Sequence, residues 1–159
     1  MIDRCKVWAA CFASAWLLAT GTAGAASNIS WSSSQALGFG KFAAGSGGSV
    51  TITPAGSRSA TGTVVLLSSG PGSAASFSLT GTPNFLAFSI TLPANGTVAL
   101  TRAGGGTMAL TQFTSTPSGT GALNASGQQT INVGATLTVG SGAAQGRYTG
   151  TFEIFLNYE

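Results

Sequence analysis

Few side chains in this sequence could take part in catalysis. The 159 residues include no histidine, and the two cysteines are Cys5 and Cys11. A serine or cysteine nucleophile needs an oriented base, most often histidine, so a catalytic triad is excluded. A Ser–Lys pair that uses Lys41 remains conceivable, but we expect Lys41 to lie at a solvated edge.

The acidic side chains are too few for the other common mechanisms. Beyond residue 25 they are Glu153 and Glu159, about 20 Å apart along an extended strand. Glycoside hydrolysis usually needs two carboxylates about 5 to 9.5 Å apart. Zinc sites need several His, Cys or acidic ligands, and calcium sites need six to eight oxygens. The sequence therefore predicts no enzyme, no cofactor and no metal site.

The charge distribution also argues against a nucleic-acid partner. Only 6% of the residues are charged, six of them basic and three acidic. The basic residues beyond residue 25 are well separated in sequence: Lys41, Arg58, Arg102 and Arg147. A nucleic-acid site needs clustered basic side chains that neutralise successive phosphates, so we predict no binding of nucleic acid.

The first residues have the pattern of a signal peptide. Arg4 and Lys6 precede an uncharged apolar run from Val7 to about Ala19, and Ala23-Gly24-Ala25 matches a cleavage site. The run of about 13 residues is shorter than the ~20 needed to span a bilayer. We expect residues 1–25 to be removed after Sec export, which leaves 159 − 25 = 134 residues. This mature chain would lack cysteine and a transmembrane segment.

The rest of the sequence alternates apolar and hydroxyl residues in short stretches, and no sustained helical stripe occurs. Clusters of Gly, Pro, Asn and Ser separate the stretches. The pattern predicts an all-β fold, specifically a two-sheet β-sandwich. The predicted strands are Ser49–Thr53, Gly62–Leu67, Ala75–Thr80, Phe85–Leu92, Thr97–Thr101, Met108–Thr114, Thr130–Val139 and Tyr148–Tyr158.

Two glycine-containing segments predict turns between these strands. Asn95-Gly96 is the clearest hairpin signal, because both residue types accept the positive φ of a two-residue turn. Gly104-Gly105-Gly106 could suggest a phosphate-binding loop, but no helix follows it. We interpret the three glycines as a turn.

Six phenylalanines could form a platform on which a sugar ring stacks, although packing in the core is the favoured interpretation. They are Phe39, Phe42, Phe77, Phe85, Phe88 and Phe113.

The segment from Tyr148 to Tyr158 alternates almost perfectly over eleven residues. Such a strand would be about 36 Å long and would need a neighbour, because a long apolar edge invites association. One face of this predicted strand consists of Tyr148, Gly150, Phe152, Ile154, Leu156 and Tyr158.

The segment from Ser27 to Leu37 is polar apart from three apolar residues at odd positions. Ile29, Trp31 and Leu37 would share one face of an extended strand. The segment is too sparse in apolar residues to hold itself in a core. An ordinary first strand and a disordered terminus both remain open interpretations.

Four blocks of the sequence, in this order, carry a family resemblance. They are Leu37-Gly38-Phe39-Gly40-Lys41-Phe42-Ala43-Ala44-Gly45, Leu79-Thr80-Gly81-Thr82-Pro83, Val133-Gly134-Ala135-Thr136-Leu137 and Gly146-Arg147-Tyr148-Thr149-Gly150-Thr151-Phe152 with Tyr158. Together they resemble the secreted bacterial domain of unknown function 4402, over nearly the whole mature chain.

The first and last blocks are also similar to pilin subunits of chaperone–usher fibres, especially the archaic type related to spore-coat U domains. That resemblance implies an immunoglobulin-like β-sandwich that lacks its final strand, residues 38–159, preceded by an N-terminal extension, residues 26–37. A chaperone, and then the extension of the next subunit, would fill the groove by donor-strand complementation. The donor side chains would be Ile29, Trp31 and Leu37, and the acceptor groove would be lined by Phe152, Ile154, Leu156 and Tyr158.

The leading hypothesis is therefore a non-catalytic structural subunit of a bacterial surface fibre or pilus. Its partners would be copies of itself or other pilin-like subunits, a periplasmic chaperone and an outer-membrane usher. It would pass through the periplasm to the cell surface or an extracellular fibre. The alternative is a self-contained secreted β-sandwich that binds a ligand such as polysaccharide, with Ser27 to Leu37 as an ordinary strand within the chain.

Overall fold

The computed structural model describes residues 2–6 and 27–158, and the regular elements in these ranges are all β-strands. The predicted apolar run and cleavage site of the signal peptide lie outside the described residues. The strands are β1 (Ile2–Lys6), β2 (Asn28–Gln35), β3 (Phe42–Ala43), β4 (Gly48–Ile52), β5 (Arg58–Gly62), β6 (Val65–Leu66), β7 (Ala75–Thr82), β8 (Ala87–Thr91), β9 (Val98–Arg102), β10 (Thr107–Thr116), β11 (Thr120–Ala122), β12 (Gln128–Val139), β13 (Tyr148–Thr149) and β14 (Glu153–Tyr158).

The strands form two antiparallel sheets and one small ladder. The first sheet has the order β1-β14-β8-β11. The second has the order β13-β9-β10-β12-β4-β5, and β12 also pairs with β7, which pairs with β2. The small ladder joins β3 and β6. In the described ranges no helix is long and apolar enough to cross a membrane.

Two apolar clusters form the core. The first combines residues of both sheets, such as Phe88 of the first with Phe77 and Ile131 of the second. The inner faces of the two sheets therefore face each other, which confirms the predicted all-β sandwich. In the second cluster, Val50 of β4 packs with Phe39, which lies between β2 and β3.

The Asn95-Gly96 hairpin prediction is wrong, although the turn itself is present. Gly96 has a φ of 75°, and the Thr97 amide donates to the Ala94 carbonyl at 3.3 Å. The flanking strands do not pair with each other, because β8 belongs to the first sheet and β9 to the second. The turn carries the chain across the sandwich. The Gly104–Gly106 turn is confirmed, since it joins the paired strands β9 and β10.

The prediction of one continuous strand from Tyr148 to Tyr158 is also wrong. Strand β13 pairs with β9 in the second sheet, and the chain then crosses to the first sheet as β14. Gly150 lies at the crossing, where a Cβ would come within 2.7 Å of the Ala99 carbonyl oxygen. The predicted strand Gly62–Leu67 is likewise divided, since β5 ends at Gly62 and β6 covers Val65–Leu66.

The Leu37–Gly45 block is held against β5 by one arginine. Arg58 Nη1 donates to the carbonyl oxygens of Phe39, at 3.3 Å, and Gly70. Its Nη2 donates to the Leu67 carbonyl at 2.9 Å and to the Lys41 carbonyl at 3.4 Å. The planar guanidinium thus reinforces two loops that also meet through the main chain, where the Lys41 amide donates to the Gly70 carbonyl and the Leu67 amide donates to the Lys41 carbonyl. Lys41 itself is exposed, as expected.

Replacement of Arg58 should therefore cost more stability than its partial exposure suggests. We expect Arg58→Ala to lower the free energy of unfolding by about 2–3 kcal/mol, since hydrogen bonds to a charged group contribute about 1.5–3 kcal/mol. Arg58→Lys should recover little, because a point charge cannot span the four carbonyls. The measurement is urea denaturation followed by circular dichroism.

Arg102→Ala is the matched control for this variant. Among the described residues, the Arg102 guanidinium donates to the Gly104 and Gly105 carbonyls of its own turn, at 3.3 and 2.9 Å. Its loss should cost at most about 1 kcal/mol. Equal losses for the two variants would contradict the role of Arg58 as a link between loops.

Candidate strand-acceptor edge

Strand β14 alternates between the core and the outer face of the first sheet. Ile154, Leu156 and Tyr158 are buried in the first core cluster. The intervening residues Phe155 and Asn157 are half-buried and exposed. The structure therefore brings three of the four predicted groove residues onto one inward face of β14. Their role in accepting a donor strand stays a prediction.

Phe152, the fourth predicted groove residue, lies immediately before β14 where the chain crosses between the sheets. Its ring is 6.3 Å from that of Phe77, nearly perpendicular to it, and 5.5 Å from that of Phe113. It packs against both core clusters. Phe152 thus fixes the position at which β14 enters the first sheet.

The two edges of β14 are covered by strands from distant parts of the chain. On one side β14 pairs with β8, from Phe155 opposite Thr91 to Tyr158 opposite Phe88. On the other side it pairs with β1, the segment Ile2–Lys6, in a continuous five-residue register. Among the described strands, β1 alone keeps β14 from being an edge strand.

The register of β1 shows what kind of strand this edge can receive. Asp3 stands opposite Leu156 and Cys5 stands opposite Ile154. Leu156 and Ile154 face the core, and cross-strand partners share a face of the sheet. A strand with apolar residues at the two positions opposite them would therefore suit this edge.

The predicted donor segment pairs within its own chain. Strand β2 runs antiparallel to β7, and the register is irregular between Ser33 and Gln35. Ile29 is buried in the same cluster as Ile154, whereas Trp31 is 37% exposed. Leu37, beyond the strand, is half-buried against both clusters. The segment is an edge strand here, which agrees with the alternative interpretation of the sequence.

The predicted core positions of the phenylalanines hold for five of the six. Phe39, Phe77 and Phe88 are buried, and Phe42 and Phe113 pack against the clusters.

The prediction is wrong for the sixth, Phe85, which is 69% exposed. It adopts a φ of 62° just before β8. The preceding Gly-Thr-Pro-Asn stretch is the signal that could have placed it in a turn rather than in a strand.

Besides main-chain pairing, the described residues provide few groups at the β14 edge that could bind a ligand or a metal ion. Within residues 2–6 and 27–158, no three His, Cys, Asp or Glu side chains are grouped so that they could hold a metal ion. Glu153 is the one carboxylate on β14, and it is half-buried at the start of the strand. An uncovered edge of β14 would offer an extended peptide main-chain hydrogen bonds and an apolar face.

The profile of a protein family described as Domain of unknown function (DUF4402) matches residues 29–158. The chain belongs to this family. The match confirms the resemblance to that family seen in the sequence. No curated protein and no solved structure matches the chain.

The limits of the DUF4402 match coincide with structural elements. It begins at Ile29, the first buried residue of β2, and ends at Tyr158, the last residue of β14. The DUF4402 unit therefore includes β2 and β14 but not β1. The strand that covers the β14 edge lies outside the family's domain.

Proposed function

We propose that this protein is a non-catalytic, exported structural subunit of a bacterial surface fibre, which assembles by adding a strand from one copy to the β14 edge of another. The observation that supports the proposal is the pairing of β14 with β1. Strand β1 precedes the predicted processing site and lies outside the DUF4402 match. Once residues 1–25 are removed, β14 becomes an edge with a buried apolar face, which proteins normally cover.

The neighbour's β2 segment is the proposed donor. It has one buried side chain among its eight residues, so its attachment to β7 relies mainly on main-chain hydrogen bonds. Inserted with Ile29 opposite Leu156, it would place Trp31 opposite Ile154. Leu156 and Ile154 are the β14 residues that stand opposite Asp3 and Cys5 in the pairing with β1.

The exchange has one favourable and two unfavourable contributions. Burial of the exposed part of Trp31, on the order of 90 Å², would contribute about 2 kcal/mol. Release of β2 would open the edge of β7 and withdraw Ile29 from the first core. We therefore propose that a periplasmic chaperone holds the open subunit and that an outer-membrane usher directs the exchange. The resemblance of the first and last sequence blocks to those of chaperone–usher pilins is the reason to propose these partners.

A pair of cysteine variants tests the donor directly. In the proposed register Ser32 of one copy meets Glu153 of the next, so Ser32→Cys/Glu153→Cys should form a ladder of disulfide-linked multimers on non-reducing gels. Ser32 pairs with Ser78 within the chain. Ser32→Cys/Ser78→Cys is the matched control and should give linked monomers. Both variants also carry Cys5→Ser and Cys11→Ser, and the producing cell supplies its own chaperone and usher.

The outcomes separate the two modes of pairing. A ladder from Ser32→Cys/Glu153→Cys, with a shift of the Trp31 emission to shorter wavelength on assembly, is the expected result. Linked monomers from the control together with unlinked Ser32→Cys/Glu153→Cys protein would reject β2 as the donor. Strands from other subunits would then be the remaining candidates for the donor that pairs with β14.

The second candidate function is a self-contained secreted binding module for polysaccharide. The specific observation in its favour is the pairing of β2 with β7 in the same chain. This module would be a monomer at all concentrations and would be retained on a neutral polysaccharide column. A concentration-dependent multimer that passes through the column would exclude it.

A further inference from the structure

The main-chain groups on the β14 edge that β1 covers can be identified from the neighbouring ladders. The Ile90 amide donates to the Gly119 carbonyl at 2.7 Å, on the β11 side of β8. Because main-chain groups alternate between the two edges of an antiparallel strand, Ile90 is not hydrogen-bonded to Leu156, its partner on β14. The amide and carbonyl of Leu156 therefore point away from β8, towards the edge that β1 covers. By the same alternation, so do those of Ile154.

The side chains of β14 and the residue before it follow the same order in both directions along the chain. On the core side they are aromatic, aliphatic, aliphatic and aromatic: Phe152, Ile154, Leu156 and Tyr158. Phe155 stands at the midpoint on the opposite face, between Glu153 and Asn157. Two antiparallel copies of this segment that are symmetric about Phe155 would match aromatic with aromatic and aliphatic with aliphatic. Such cross-strand pairs stabilise a sheet.

We infer that two copies without residues 1–25 pair through their β14 edges, antiparallel and about a two-fold axis at Phe155. Ile154 of each copy would stand opposite Leu156 of the other and exchange both N–H···O bonds with it, because the edge groups of both residues point outwards. The two Phe155 side chains would meet at the axis. Glu153 would stand opposite Asn157, so that no like charges are opposed. The contact is the same on both copies and closes as a dimer.

The two neighbouring symmetric registers match the side chains less well. An axis at Leu156 would set Ile154 opposite Tyr158. An axis at Ile154 would set Leu156 opposite Phe152, and Tyr158 opposite Gly150, which has no side chain to pack against it. The axis at Phe155 therefore gives the most even pairing of the apolar face.

The pairing of two β14 edges needs no strand to leave its place. Strand β2 stays on β7, and Ile29 stays in the first core cluster, whereas strand addition must release both. One strand pair is a small contact beside stable interfaces, which bury about 1,200–2,000 Å², so we expect a weak and reversible dimer. A paired copy has no free β14 edge, and the dimer is therefore a resting form that cannot accept a donor. It rests on the exposed β14 edge of the proposed function but not on β2 as the donor.

Single cysteine variants, oxidised with oxidised glutathione, test the position of the axis. Phe155→Cys should form disulfide-linked dimers, because the Cα atoms of a pair without mutual hydrogen bonds are about 4.5 Å apart, within the range that a disulfide spans. Glu153→Cys and Asn157→Cys should each stay monomeric alone, since the two copies of either residue lie about 13 Å apart along the ladder. An equimolar mixture of these two variants should form linked dimers. All variants are made from the full-length gene with Cys5→Ser and Cys11→Ser.

A charge at the axis tests the dimer without cysteine chemistry. Phe155→Lys loses the aromatic pair and sets two like charges opposite each other, so we expect the dissociation constant of the dimer to rise by about tenfold. Thr91→Lys is the matched control, because Thr91 is exposed and stands opposite Phe155 within the chain. Its two copies would be about 14 Å apart across the joined sheet, where charges are largely screened. Sedimentation equilibrium gives the constants, and thermal denaturation confirms that both variants are folded.

The outcomes differ from those of the strand-addition test. Linked Phe155→Cys dimers without a Ser32→Cys/Glu153→Cys ladder would support the β14 dimer and reject strand addition, and a ladder with unlinked Phe155→Cys would do the reverse. An unlinked mixture of Glu153→Cys and Asn157→Cys would overturn the inferred pairing. Mass spectrometry checks that residues 1–25 are absent from each product. A product that keeps them would contradict both proposals, because β1 would then stay on the β14 edge.

Discussion

Gly134→Val is expected to lower the free energy of unfolding by about 4–5 kcal/mol, enough to unfold a typical domain of marginal stability. A Cβ at this position would overlap the carbonyl oxygen of Ile52 and come within 2.7 Å of the Thr53 carbonyl carbon. Both obstacles are backbone, which cannot move aside as a flexible side chain can. Over-packing of side chains alone usually costs about 1–3 kcal/mol.

The position of Gly134 explains why the fold needs this close approach. Strand β12 pairs with β7 up to Val133 and with β4 from Ala135 onward. Gly134 stands between the two ladders, next to the turn that follows β4, and opposite Thr114 of β10. A larger residue would push β4 away from β12 and open both core clusters.

Gly140→Ala is the control in the same region of the chain. Nothing lies within 4 Å of its would-be Cβ, and its φ is not in the left-handed region. This variant should change stability by less than about 0.5 kcal/mol. The measurement is chemical denaturation of both variants. A Gly134→Val protein as stable as Gly140→Ala would show that β12 and β4 do not approach as closely as described.

Phe152→Ala is expected to cost about 3 kcal/mol of stability and to weaken assembly as well. The cost combines the loss of buried apolar surface with the loss of ring contacts to Phe77 and Phe113. Because Phe152 packs against both clusters at the start of β14, its removal should also loosen the acceptor strand. Disulfide ladder formation by Ser32→Cys/Glu153→Cys should then slow.

Two further substitutions test how much of this cost comes from the apolar volume of Phe152, from its aromatic ring and from its position in the fold. Phe152→Leu keeps most of the apolar volume and should recover more than half of the lost stability. Phe155→Ala alters the same residue type on the opposite face of β14, where it belongs to neither cluster, and should cost about 1 kcal/mol. Unfolding followed by calorimetry gives all three values. Equal losses at Phe152 and Phe155 would contradict the central position of Phe152.

The strands were largely predictable from two-residue alternation. The buried residues Ile154, Leu156 and Tyr158 follow this period, as do Val50 and Ile52. The alternation is visible within a short stretch of sequence, because successive side chains of a strand point to opposite faces and one face packs against apolar residues. Glycine turns were predictable for the same reason, since the φ that they require belongs to single residues.

The errors concern relations between distant segments. Asn95-Gly96 makes its turn, but only the packing of two sheets decides whether the flanking strands pair or separate. Tyr148 to Tyr158 alternates almost perfectly in sequence, yet the chain crosses between the sheets near Gly150, where it approaches Ala99. The apolar side chain of Phe85 predicts a core position, but the turn before it leaves the ring exposed to solvent.

By itself, the sequence determined the all-β class, the family, the scarcity of groups for catalysis and the inward face of β14, because each depends on composition or local period. The tertiary structure decided which strands pair, that β1 covers the β14 edge while β2 pairs with β7, and that Phe85 is exposed. These features depend on contacts between residues far apart in the chain. Such contacts are selected by the free energy of the whole packed sandwich, which no short window of sequence contains.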